Sequence, residues 1–216
     1  MGIHYNQASG TFHLQAHRTS YIMQVVKSGH LAHRYWGKKI RSVTPSNELR
    51  FHGRAFSPSP DPNDGGFSLD TLPQEYPAYG TSDFRQPAFQ VQYDDGSTIT
   101  DLRYAGHRIF RGKPRLSGLP ATYVENDLEA ETLEIDTIDS VIGLKVVLSY
   151  TVYEQLDVIT RSVRFIHEGN QPVKLLRALS MSLDFDHSKF DLLHLSGAWA
   201  RALRGTTHAC LRQSSD

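Results

Sequence analysis

The 216-residue chain has one cysteine, Cys210, so no disulfide framework exists within it. It has no net charge: Lys plus Arg and Asp plus Glu both number 23. A basic field that would favour nucleic acid or an anionic membrane is therefore absent. No uninterrupted apolar run approaches the roughly 20 residues that span a bilayer. The opening MGIHYNQASGTFHLQ lacks the basic segment and apolar core of a signal peptide. Its Met-Gly start is not a myristoylation signal, because position 6 is Asn6. Internal repeats, phosphate-binding glycine loops, thiolate pairs and nucleophile elbows are all missing. So is any apolar stripe of helical period and length. Together the cysteine count, the charge balance and the missing leader favour the cytoplasm.

What is present has a period of two. Residues 11–15 (TFHLQ) and 19–26 (TSYIMQVV) alternate and are rich in β formers. Residues 30–36 follow a Gly29 turn. Residues 88–93 and 97–104 flank Asp94-Asp95-Gly96, a hairpin signal. Residues 131–136 and 143–153 form the next pair. Residues 158–165 place Ile159, Val163 and Phe165 on one face, with Arg161 intruding on it. After a turn at 168–172, Val173, Leu175, Leu179, Met181, Leu183 and Phe185 mark the inner face of another strand. The pattern predicts an antiparallel all-β sandwich.

Residues 67–89, FSLDTLPQEYPAYGTSDFRQPAF, stand apart. Pro73, Pro77 and Pro87 exclude a helix. Seven large apolar residues exclude a disordered tether. Such a loop packs on the body as a shaped wall, and charges among aromatics suit a sugar. The plainer reading is a packed structural loop with a satisfied Asp–Arg pair. Residues 42–66 lack periodicity and read as a projecting excursion. Asp64, Asp70, Glu75, Asp83 and Asp184 show no spacing that singles out a catalytic carboxyl pair. They fit loop caps and partners of nearby arginines. His13/His17 and His30/His33 have metal-like spacings, but on strands and without a third ligand they read as ordinary histidines. Trp199 sits among Gly197, Ala198 and Ala200, which leave its indole free to stack on the C–H face of a sugar. The plainer alternative is core packing.

FSLDTLPQEYPAYGTSDFR, GKPRLSGLPATY (112–123), LSYTVYEQLDVITRSVRF (148–165), LRALSMSLDF (176–185) and LSGAWAR (195–201) occur in that order. Over residues 3–201 this resembles the N-terminal domain of microbial α-galactosidases of glycoside hydrolase family 36. The resemblance implies a β-supersandwich of the galactose-mutarotase-like type, incomplete here at its C-terminal side. It implies a complete enzyme that hydrolyses terminal α-galactosyl groups of sugars such as melibiose or raffinose. The reaction retains configuration and uses neither a metal nor an organic cofactor. The two catalytic aspartates belong to a following barrel, so no residue here is given a catalytic role. Trp199 of the GAW-x-R motif would reach the sugar pocket. In tetrameric relatives the excursion reaches a neighbouring subunit, often with an aspartate where this chain has His52-Gly53-Arg54.

Residues 202–216, ALRGTTHACLRQSSD, depart from the family pattern and are expected to be an unstructured tail after a domain ending at 201. A frameshift near codon 202 is the favoured origin. The chain then reads as an α-galactosidase fragment that supplies a pocket wall and oligomer contacts. The rival reading is a stand-alone carbohydrate-binding β module. An epimerase using His107, His167 and Glu125 ranks last, because no motif pairs them.

Overall fold

The computed structural model describes residues 2–41, 49, 59–80, 85–118, 121–185, 191–196 and 204–209. It is antiparallel and almost entirely β, and it divides into two compact units, residues 1–183 and 184–216. The first unit holds two four-stranded meanders. One is β1 (Gly2–Asn6), β2 (Thr11–Gln15), β3 (Thr19–Val25) and β4 (Leu31–Lys38). The other comprises β6 (Arg103–Arg111), β7 (Ala130–Asp139), β8 (Leu144–Tyr153) and β9 (Val158–His167). Alternate residues of each turn inward, as the two-residue period dictates. Phe12, Leu14, Tyr21 and Met23 from the first sheet meet Leu133, Ile135, Val146, Leu148, Tyr150 and Val152 from the second in one buried cluster. Burying such a side chain is worth about 1.5–3 kcal/mol.

Tight turns set the register of the second sheet. Between β7 and β8 the Asp139 side chain accepts from the Val141 amide at 2.9 Å. Gly143 then adopts φ +70°, and a Cβ there would lie 2.8 Å from the Gly169 backbone. Only glycine fits that left-handed position at that approach. The ten-residue pairing of β7 with β8, and of β8 with β9, follows without a bulge.

Two expectations about strands are corrected. The Asp94-Asp95-Gly96 turn does form, with Gly96 at φ +85° and a Tyr93 amide bond to the Ser97 carbonyl of 2.9 Å. Residues 97–102, however, are not a strand, and β6 begins only at Arg103. β5 (Phe89–Gln92) pairs with β10 (Lys174–Ala178) instead. The turn chemistry was legible, but a turn signal does not fix which strand its flank pairs with. The second correction concerns residues 173–185, where the strand is short and bulged between Leu175 and Arg177. Val173 and Leu183 pack on the core, whereas Leu175, Leu179 and Met181 are exposed.

The proline-rich loop behaves as a partial fifth strand of the first sheet. The His33 amide donates to the Pro73 carbonyl at 2.7 Å, and the Glu75 amide to the Leu31 carbonyl at 2.9 Å. Prolines sit where a ladder donor is not needed, as on an edge strand. Phe67, Leu69 and Leu72 bury against Ala32 in a satellite cluster. Tyr76 stacks on Phe89 with centroids 5.4 Å apart. Among its described residues the loop is thus mostly core, the plainer of its two readings.

In the second unit β11 (Asp191–Ser196) pairs with β12 (Arg204–Ala209). Part of the stretch expected to be unstructured is therefore a strand. Its pairing rests on the backbone ladder, which side-chain alternation does not reveal.

Candidate functional site

The most organised group of polar side chains surrounds Glu75. Pinned by the Leu31 carbonyl, the loop turns this carboxylate inward between the two sheets, and it is wholly buried. Tyr21 of β3 donates to Oε1 and Oε2 at 2.7 and 2.9 Å. Tyr150 of β8 donates to Oε1 at 2.7 Å. His33 of β4 places Nδ1 3.3 Å from Oε2. Arg161 of β9 brings Nη1 to 2.8 Å from Oε1, an ion pair whose angle falls short of a hydrogen bond. Its Nη2 donates to the Glu75 carbonyl at 3.2 Å. The guanidinium also lies 4.9 Å from the Tyr150 ring centroid, within cation–π range.

Electrostatics keep this centre ionised. Burial alone would raise the Glu75 carboxyl. The Arg161 charge, with His33 and the Tyr21 hydroxyl, outweighs it and holds the pKa below the ordinary value. Burial, reinforced by the Glu75 charge, pushes the Tyr21 phenol up, so it stays a donor. Burial likewise drives the Tyr150 phenol well above its usual value. A general acid must hold a proton and a nucleophile must reach its substrate; Glu75 does neither. The centre joins the two sheets and the loop. In the sequence Arg161 stands out as a cation intruding on an apolar face, whereas nothing singles out Glu75 among the loop carboxylates.

Arg161 has a second aspect. It also lines an open groove of about 730 Å³ that runs along β9, the edge strand of its sheet. Residues 113–117 with Ala121 and Thr122 form one wall, and Ala178, Leu179 and Ser180 another. The floor carries hydroxyl rows set by strand register. Thr151 faces Thr160; Glu134 faces Ser149, which faces Ser162. Phe165, Val147 and Leu116 add apolar surface.

The residues chosen from sequence for sugar contact, Trp199 and the trio His52, Gly53 and Arg54, lie outside the described residues. So do Asp83 and Phe84 of the loop. Asp64 pairs with Lys27. The histidines are placed. His13 Nε2 lies 2.9 Å from Ser20 Oγ, and His33 serves Glu75. His30 is buried against Phe67. Among the described residues no group of three or more His, Cys, Asp or Glu is placed to hold a metal. The epimerase trio is not brought together: His107 packs on Tyr5 and Phe12, His167 binds the Gln171 carbonyl, and Glu125 lies by Glu129.

Comparison with known proteins gives the chain its relatives. The model of the glycosyl hydrolase family 36 N-terminal domain matches residues 29–210. Alpha-galactosidase AgaA of Geobacillus stearothermophilus is 59% identical over 201 residues, which is 93% of this chain and 28% of that protein. The crystal structure of alpha-galactosidase AgaB from the same organism superposes with TM-score 0.89 at 57% identity, covering 98% of this chain and 29% of the other. A variant of AgaA solved with raffinose superposes with TM-score 0.86 at 58% identity, over 93% and 28% of the two chains. The chain thus spans under a third of the length of these relatives. No helix among the described residues is long and apolar enough to cross a membrane.

Proposed function

Since the chain belongs to the glycosyl hydrolase family 36 N-terminal domain family, we propose that it is the N-terminal β domain of a cytoplasmic α-galactosidase. The observation that carries this is 59% identity to AgaA across 93% of the chain. Under this reading the whole enzyme cleaves terminal α-galactosyl groups from oligosaccharides of the raffinose kind, with retention. The attacking and proton-donating carboxylates lie in the barrel that the resemblance implies, outside these 216 residues. Glu75 cannot replace them, being sealed and ionised. The domain contributes Trp199 as a stacking face of the sugar pocket and residues 52–54 toward a neighbouring subunit of a tetramer. At Gly53 the chain offers no carboxylate to accept from sugar hydroxyls, so that cross-subunit contact is weaker than in relatives with aspartate there.

The test is a chimera in which this chain replaces the matching N-terminal region of AgaA. It should hydrolyse raffinose, while the 216-residue chain alone gives no turnover above a mock purification. Trp199→Ala in the chimera should lower kcat/KM about 5- to 150-fold, the equivalent of about 1–3 kcal/mol of lost stacking. A well-folded chimera without activity sinks the domain assignment. An unchanged kcat/KM returns Trp199 to core packing.

A further inference from the structure

We propose that the groove along β9 is a recognition site for a sugar that carries an oxyanion, either a phosphate or a carboxylate. Lys113, Arg115 and Arg164 all line it. None of the three has an ion-pair or hydrogen-bond partner among the described residues. The one carboxylate in the lining, Glu134, is already engaged by Arg108. Arg161 belongs to the opposite face of β9, where Glu75 matches its charge, and is not one of these free cations. Unmatched cations facing one concavity favour an anion, and guanidinium groups match the two oxygens of a carboxylate or phosphate. A volume of about 730 Å³ lies in the range of small-molecule sites, roughly 300–1,000 Å³.

The rest of the lining points to a polyol rather than to a bare ion. Ser149, Thr160 and Ser162 project hydroxyls that both donate and accept, as sugar hydroxyls do. Val147, on the same face as Arg164, and Leu116 offer apolar surface to the C–H faces of a ring. This site shares no residue with the pocket wall proposed above, so either reading can fail without the other.

Isothermal titration of the 216-residue chain at low ionic strength tests it, with four probes. Galactose 6-phosphate and galacturonate should bind saturably, each at least about tenfold more tightly than galactose or inorganic phosphate. Arg164→Gln and Lys113→Gln should each weaken the anionic sugars about tenfold. Both positions face solvent, and a thermal melt confirms folding; Arg115→Gln is the reserve variant. The proposal is overturned if neither anionic sugar binds, if the variants bind as the parent does, or if inorganic phosphate binds as tightly as the sugar phosphate. Loss of binding in the AgaA chimera would also overturn it, because the groove would then be covered by the rest of the polypeptide.

Discussion

Two ion pairs bridge the same two sheets, one in the interior and one at the rim. Glu75–Arg161 joins β3 and β4 to β8 and β9 through a carboxylate with no exposure. Arg18–Asp157 joins the β2–β3 turn to the β8–β9 turn, with the arginine 81% exposed. The distances, 2.8 and 2.6 Å, would rank the rim pair first. Surroundings reverse that order. Water screens the rim pair and replaces either partner when it is lost. Nothing replaces a partner in the interior, so removing one leaves a buried charge. Proximity alone is a poor guide to what an ion pair contributes.

The sharpest way to break the comparison is to cut the interior pair. Glu75→Ala leaves Arg161 buried and unmatched, and three donors lose their acceptor. The expected cost is about 3–5 kcal/mol of stability, read by denaturant titration. The double variant Glu75→Leu/Arg161→Met should recover much of that loss, because no charge then remains inside. A double variant no more stable than Glu75→Ala would show that the carboxylate acts through its tyrosine and histidine bonds, not through the ion pair.

Acid should separate the interior from the rim next. His30 is buried, with the Arg103 charge nearby, and the two effects lower its pKa from 6.5 to about 4. Asp101 opposes them. The unfolded chain therefore takes up a proton between pH 6.5 and 4 that the folded chain refuses. Stability contributed by keeping this histidine neutral is complete above 6.5 and falls as pH drops toward 4, by on the order of 3 kcal/mol. Glu75 acts in the same direction at lower pH. Its folded pKa is depressed, so its contribution is present above the ordinary carboxylate value and is lost as pH falls through the folded value. Denaturant midpoints across pH 7 to 4 measure the His30 part, and extending the series to lower pH adds the Glu75 part. His30→Gln should flatten the upper part of that slope; an unchanged slope would place the sensitivity elsewhere.

How much of this was legible in the sequence depends on the kind of signal. Strands β2, β3, β7, β8 and β9 follow from a two-residue period, because each has one face in the core. Arg161 broke that period visibly, and the break marked a buried charge. Its partner was harder to find, since Glu75 lies 86 residues away in a loop without period. The failure at 97–102 has a different cause. A turn signal is local, but choosing a partner strand is a competition across the chain, and β10 won β5. Alternation at 173–185 promised an inner face, yet a strand is buried only where another layer covers it. The groove was not legible at all. Its cations come from two distant segments, 113–115 and 164, which strand register and a wall of loop bring together.

The smallest effect is expected at the rim. Asp157 accepts from the Arg18 side chain and from the Arg18 amide, at 2.6 and 2.5 Å, and these bonds hold its carboxyl below the usual value. It nonetheless stays in contact with water, so that shift reports a local preference and not a contribution to folding. Asp157→Asn keeps an oxygen for the backbone bond and removes the charge alone. Its melting midpoint should be indistinguishable from the parent at high salt, where screening has already silenced the pair. Any difference should appear only at low salt and should vanish as salt is added. Asp157→Ala removes the backbone acceptor as well, so a loss confined to that variant would assign the effect to turn capping. If Asp157→Asn instead lowered the midpoint as far as Glu75→Ala at every salt concentration, the rim pair would be no weaker than the interior one. The ranking by surroundings would then be wrong for this fold.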